Sequence, residues 1–217
     1  MPYVIKKSVK NTKRKRAALS KLVTFEEFYE TVDEKTKADL LDGLIIRDSP
    51  AIPRHANIAT WISALLRIFV DERDLGIVLG ATATVRLSLY NAPEPDVLFI
   101  SKNRLSMVND KFIDGPPDLC IEVISKSSRK HDRGRKFVLY AEHGVREYWI
   151  FDPFKDTVEF FESHSGVFVH IQPDEQGRLH SHVLPGFWLK PEWLHGALLP
   201  SVPAVFEEII GKARRLF

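Results

Sequence analysis

Two carboxylates stand in stretches that otherwise read as buried strand. Asp96 opens the run Asp-Val-Leu-Phe-Ile, and Glu122 lies inside Asp-Leu-Cys-Ile-Glu-Val-Ile-Ser. Side chains alternate faces along a strand, so Glu122 shares a face with Cys120 and Ile124, and Asp96 shares one with Leu98 and Ile100. An ionised carboxylate taken out of water without a partner is costly. Each acid therefore needs a cation, hydrogen-bond donors or a metal. Hard oxygens of this kind suit Mg²⁺ or Mn²⁺; Mg²⁺ binds through one or two carboxylates and keeps waters and phosphate oxygens around itself. A lysine in the basic helical segment that follows could stabilise developing negative charge beside such an ion or help activate water. A plainer account stays open at this point. Asp96, after Pro95, could cap a turn. Glu122 could pair with Lys136 or Arg133, and Lys136 with Asp132 four residues before it.

The elements that must position these residues follow from periodicity and punctuation. Thr24 and Glu27 have the spacing of a capping box, which predicts a short helix from about Glu26. Leu40–Ile46 reads as a strand with a bend at Gly43. Ile58, Trp61, Ile62, Leu65, Leu66 and Phe69 recur at helical spacing, with Gly76 as the stop. Residues 77–89 are rich in strand formers. Strands are expected from Asp96 and from Asp118, then a helix over 129–143 that ends at Gly144. A strand over 146–151 ends before Asp152-Pro153, and a hairpin turns at Ser165-Gly166. A short amphipathic helix over 204–216 closes the chain. The order predicts an α/β fold, a mixed sheet with helices packed against it, in one domain of residues 22–217.

The 217 residues are 44% hydrophobic and 28% charged, an ordinary globular composition. Cys120 is the only cysteine, which excludes an internal disulfide and makes a reducing, cytoplasmic setting the expectation. No apolar run reaches the roughly 18–20 residues of a membrane span. Eight of the 31 Lys and Arg residues fall in residues 1–21, which hold no acid. That leaves 23 basic against 29 acidic side chains beyond them. The basic arm reads as a solvated, disordered tail or as a loose contact with a phosphate backbone. His180 and His182 are too few for a zinc site and are assigned to a surface hairpin. Trp149 and Tyr148 fit a core strand.

The run from Pro95 to Pro153 resembles the Uma-type family of restriction endonuclease-like proteins, within the PD-(D/E)XK nuclease superfamily. Its motifs are here Pro95-Asp96, Pro117-Asp118-Leu119, Glu122-Val123-Ile124-Ser125, Asp132, Lys136, Tyr140, Gly144-Val145, Glu147-Tyr148-Trp149 and Asp152-Pro153. The likeness covers about residues 24–190. It implies a restriction-endonuclease-like core, with Asp96 and Glu122 as metal ligands and the Val123 carbonyl as a third oxygen. The superfamily's lysine position holds Ile124. The resemblance moves that role to the following helix, to Lys136, whose long stem could swing to the water or the phosphate. Lys126, Arg129 and Arg133 stand close by as alternatives. Asp39 replaces the family's Glu and is one methylene shorter. His55 matches the family His, read as a helix-start residue facing the site or as a structural one. Ser125 and Ser127 could meet phosphate or cap the next helix, and capping is favoured.

The expected function is a Mg²⁺- or Mn²⁺-dependent DNA endonuclease. Arg129, Lys130, Arg133 and Arg135 would form the local DNA contact, since the chain beyond the tail is net acidic. One centre cuts one strand, so double-strand cleavage implies two, and the resemblance favours a homodimer. The metal chemistry does not choose the sugar, which leaves RNA open. A second reading is a catalytically silent nucleic-acid-binding or interaction module that retains the fold, motivated by Asp39 and the displaced lysine.

Overall fold

The computed structural model describes residues 22–33, 36–47, 49–81, 83–196 and 198–211. The basic tail, residues 1–21, lies outside them, as does the end of the helix expected over 204–216. In chain order the elements are α1 (Phe25–Thr31), β1 (Ala38–Leu41), β2 (Leu44–Arg47), α2 (Pro53–Glu72), β3 (Gly76–Gly80), β4 (Val85–Arg86) and β5 (Val97–Ser101). They continue with β6 (Ile113–Asp114), β7 (Leu119–Val123), α3 (Lys136–His143), β8 (Glu147–Asp152), β9 (Thr157–His164) and β10 (Val167–Ile171). The strands β11 (Leu179–His180) and β12 (Trp188–Leu189) and the helix α4 (Val202–Ile209) complete the chain.

Six strands form one mixed sheet in the order β10-β9-β8-β7-β5-β3. The β7–β8 pair is parallel and the others are antiparallel. A parallel pair needs a crossover, and the helical segment with α3 supplies it. Alternation divides the sheet as the pattern predicts. Val97, Phe99, Leu119, Ile121, Val123 and Trp149 pack with α2 and α4. Cys120, Ile124, Tyr148 and Ile150 pack under α3. Each such fully buried side chain contributes roughly 1.5–3 kcal/mol relative to exposure.

Local chemistry sets the ends. Thr24 and Glu27 exchange both bonds of the capping box. The strand expected over 40–46 is instead a hairpin, because Asp42 (φ 51°) and Gly43 (φ 73°) take the left-handed pair that a two-residue turn requires. Helix α2 ends at Glu72, ahead of the predicted stop. Gly76 instead opens β3 at φ 151°, where a Cβ would lie 2.1 Å from the Ile100 carbonyl oxygen. The helix expected over 129–143 is not uniform. Residues His131–Arg135 form a π turn, and the Lys136 N–H donates to the His131 carbonyl, five residues back. The Tyr148 hydroxyl donates to the Asp132 carbonyl inside that turn at 3.1 Å.

Candidate functional site

The site lies at one end of the β5–β7 pair. Val97 stands opposite Ile121 in that antiparallel ladder. The next step of the same register brings Asp96, just ahead of β5, against Glu122, near the end of β7. The Val123 N–H donates to Asp96 Oδ2 at 2.8 Å and locks the two strands there. Asp96 and Glu122 are both buried, yet both line a cleft of ≈ 580 Å³ with His55, Val123 and Ser125.

Two neighbouring elements complete the cluster. The hairpin β1–β2 lies against residues 92–94 through a Leu40–Ala92 bridge. This brings Asp39 inward, where its Oδ1 accepts the Glu94 N–H at 2.8 Å. Glu94 itself accepts the Thr84 hydroxyl at 2.8 Å and the Ala38 N–H at 3.2 Å. From the other side comes the first turn of α2. His55 Nε2 is 3.3 Å from Asp96 Oδ2, and its Nδ1 is buried without a hydrogen-bond partner.

Lys136 is 2.8 Å from Asp39 Oδ2, 2.8 Å from Glu122 Oε1 and 3.8 Å from Asp132 Oδ1. It is 2% exposed and does not line the cleft. The swing to water or phosphate expected of it is thus opposed by three carboxylates around one ammonium. The same Glu122 Oε1 accepts the Tyr140 hydroxyl at 2.9 Å, and Oε2 takes neither bond. Ile124 is fully buried beneath α3 with Cys120 and Tyr140, so the position two after Glu122 is core.

The electrostatics show a surplus of acid. Five buried carboxylates (Asp39, Glu94, Asp96, Glu122 and Asp132) share Lys37, Lys136 and His55. Burial, then the charges of Asp132 and Asp96, push the Glu122 carboxyl up against the pull of Lys136. Burial likewise raises Asp132 to about 6, with Lys136 opposing. Burial would lower Lys136, but Asp39, Glu122 and Asp132 outweigh it and hold the ammonium charged. Burial would raise Asp96, and the His55 hydrogen bond with the charges of Lys37 and His55 reverses this, keeping it well below the usual carboxylate range.

Among the described residues no three His, Cys, Asp or Glu side chains form a ready metal cage. Mg²⁺ does not require one: two carboxylates and waters suffice. Acid in excess of the local cations, on the wall of an open cleft, fits a hard divalent ion. Asp96 and Glu122, which line the cleft together with Val123, are the residues that could hold it.

The other residues singled out in the sequence are distributed as follows. Ser125 and Ser128 cap their shared turn reciprocally, through bonds of 2.9 and 3.0 Å. Arg129 lies 3.2 Å from Asp152. Arg133 pairs with Glu159 and lies 3.7 Å from Asp152. Arg135 is 2.6 Å from Asp42, and Lys130 is exposed. None of these four lines the cleft. The two histidines near the C-terminus are remote from the cluster, His180 on Asp174 and His182 on Glu162, each at 2.7 Å. Sequence reading missed Lys37, whose Nζ is 2.5 Å from Asp96 Oδ1. Its loop position carried no periodic signal. Tyr140 was legible as a motif member but not as a donor to Glu122.

Comparison with known proteins agrees with this architecture. A protein from Anabaena variabilis, whose crystal structure is described as that of "a putative nuclease", superposes with a TM-score of 0.65 at 18% identity, over 79% of this chain and 97% of that one. An uncharacterized protein of Synechocystis sp. is 26% identical over 150 residues, which are 67% of this chain and 83% of the relative. The family model "Uma2: Putative restriction endonuclease" matches residues 24–192. With some three-quarters of its length inside that match, the chain belongs to the Uma2 family.

Proposed function

We propose that the protein is a divalent-metal-dependent DNA endonuclease. The observation that carries this reading is the juxtaposition of Asp96 with Glu122, which follows from the β5–β7 register, on the wall of one cleft. Asp96, Glu122 and the Val123 carbonyl would hold Mg²⁺ or Mn²⁺. Such an ion, when bound, supplies Lewis-acid activation of water and neutralises charge on the phosphate. The chain's own groups do the rest. Lys136 and Tyr140 grip Glu122 Oε1 and fix its rotamer. Asp39 and Asp132 hold Lys136 in turn. His55 orients Asp96 from the start of α2. Lys136 is therefore a positioning residue, and Ser125 stands where it could meet a phosphate oxygen. Arg129, Lys130, Arg133 and Arg135 lie outside the cleft and would serve as a backbone contact beyond it, for which Arg129, Arg133 and Arg135 must exchange their present carboxylate partners for phosphate. Two copies of the chain would supply the two centres that double-strand cleavage needs.

The test is plasmid nicking with Mg²⁺ or Mn²⁺ by the wild type, Asp96→Asn, Glu122→Gln and Lys136→Ala. Metal-dependent nicking should fall more than about 100-fold in the first two variants, the scale on which lost transition-state charge stabilisation is felt. Nicking that survives both would falsify the assignment. Tight DNA binding with no cleavage by the wild type would identify the silent module instead. The same assay on an RNA substrate decides the sugar.

A further inference from the structure

Lys136 is sealed off, yet the cleft has a cation of its own. Among the described residues that line it, Lys37 is the one lysine or arginine. Lys37 is 22% exposed where Lys136 is 2%. It arrives from the irregular stretch ahead of β1, on the same cleft wall as Asp96. A lysine is a point charge on a long flexible stem, so its ammonium can change partners without the backbone moving.

The geometry sets up a competition. Lys37 lies 2.5 Å from Asp96 Oδ1, one of the oxygens a divalent ion would use. Two cations on one carboxylate repel each other strongly where water is scarce. A phosphate entering the cleft offers the ammonium another anion, and among the described residues no other lysine or arginine is there to receive it. On the nuclease reading above, we propose that Lys37 exchanges between Asp96 in the free protein and a phosphate of bound nucleic acid. Substrate binding then frees Asp96 for the metal. The linkage is reciprocal: nucleic acid raises metal affinity, and metal raises nucleic-acid affinity by the same factor. The idle protein is correspondingly reluctant to load the ion.

The experiment is a Mn²⁺ titration followed by electron paramagnetic resonance. Wild type, Lys37→Met and Glu122→Gln are each titrated with and without a mixed-sequence phosphorothioate duplex. Wild type should bind Mn²⁺ about tenfold more tightly with the duplex than without, within the usual range of coupling between sites. Lys37→Met should bind tightly without the duplex and gain nothing from it. A wild type whose affinity ignores the duplex, or a Lys37→Met protein that keeps the full gain, overturns the exchange and leaves the metal site standing. Mn²⁺ bound equally by wild type and Glu122→Gln, or by neither, overturns the nuclease reading itself and the exchange with it.

Discussion

Asp118 and Glu122 are four residues apart, at opposite ends of β7, and both are buried. Their surroundings differ in kind. Asp118 accepts the Ser101 N–H and hydroxyl, each at 2.8 Å, and the Arg104 and Arg146 guanidiniums at 2.9 and 3.2 Å. Both of its oxygens are used, and it does not line the cleft that Asp96 and Glu122 share. Glu122 receives Lys136 and Tyr140 on one oxygen, has other acids around it, and lines open space. A buried carboxylate with all its lone pairs engaged holds a fold together. One left over-charged beside a cleft is poised to take a ligand. The neighbouring strand repeats the first case: Glu147 is met by Trp149, Ser181 and the N–H groups of His182 and Val183.

This contrast breaks in measurable ways. Asp118→Ala should cost roughly 1–3 kcal/mol in urea unfolding, since it leaves the Ser101 N–H and hydroxyl without their acceptor. Glu122→Gln should shift the unfolding free energy by less than about 1 kcal/mol, and by relief rather than loss, since functional acids are held at a cost to stability. Equal losses in the two variants would erase the distinction.

The pH dependence should run in opposite directions at the two ends. Burial would raise Asp118, but Ser101 and Arg104 outweigh it and lower its pKa. Its contribution is complete above the unfolded value of about 4 and is lost as pH falls through the folded value. Asp118→Asn should therefore flatten the acid limb of the stability curve. Asp132, raised to about 6, takes up its proton in the folded protein before the unfolded chain does. Stability from this group grows as pH falls from about 6 toward about 4, and Asp132→Asn should remove that rise. Tyr140→Phe deletes one of two donors to Glu122 Oε1. It should cost about 1 kcal/mol, the usual net value of one hydrogen bond, with a modest fall in nicking.

Much of this was legible in the residues. Strand alternation puts Asp96 and Glu122 each on an otherwise apolar face, and the β5–β7 register sets one against the other. The helix period of 58–69 matched α2. What was not legible depends on contacts distant in sequence. Lys37 reads as an ordinary loop lysine until β1 docks on residues 92–94 and carries it to Asp96. Lys136 reads as a mobile helix lysine until Asp39 and Asp132 close around it. The Asp42-Gly43 turn was present as a dipeptide, and reading it as a bend rather than a hairpin loop turned one strand into the wrong shape.

The π turn over His131–Arg135 has a consequence for how this helix can vary. One residue along an α-helix is about 100° of rotation, so a single extra residue sets the angular phase of everything after it. Lys136 and Tyr140 are one turn apart and close on the same oxygen of Glu122. A substitution removes one of these donors and leaves the other aimed. Deleting Gly134 would rotate both away together. The two donors are indexed by one notch, and length, more than composition, is what that segment must keep.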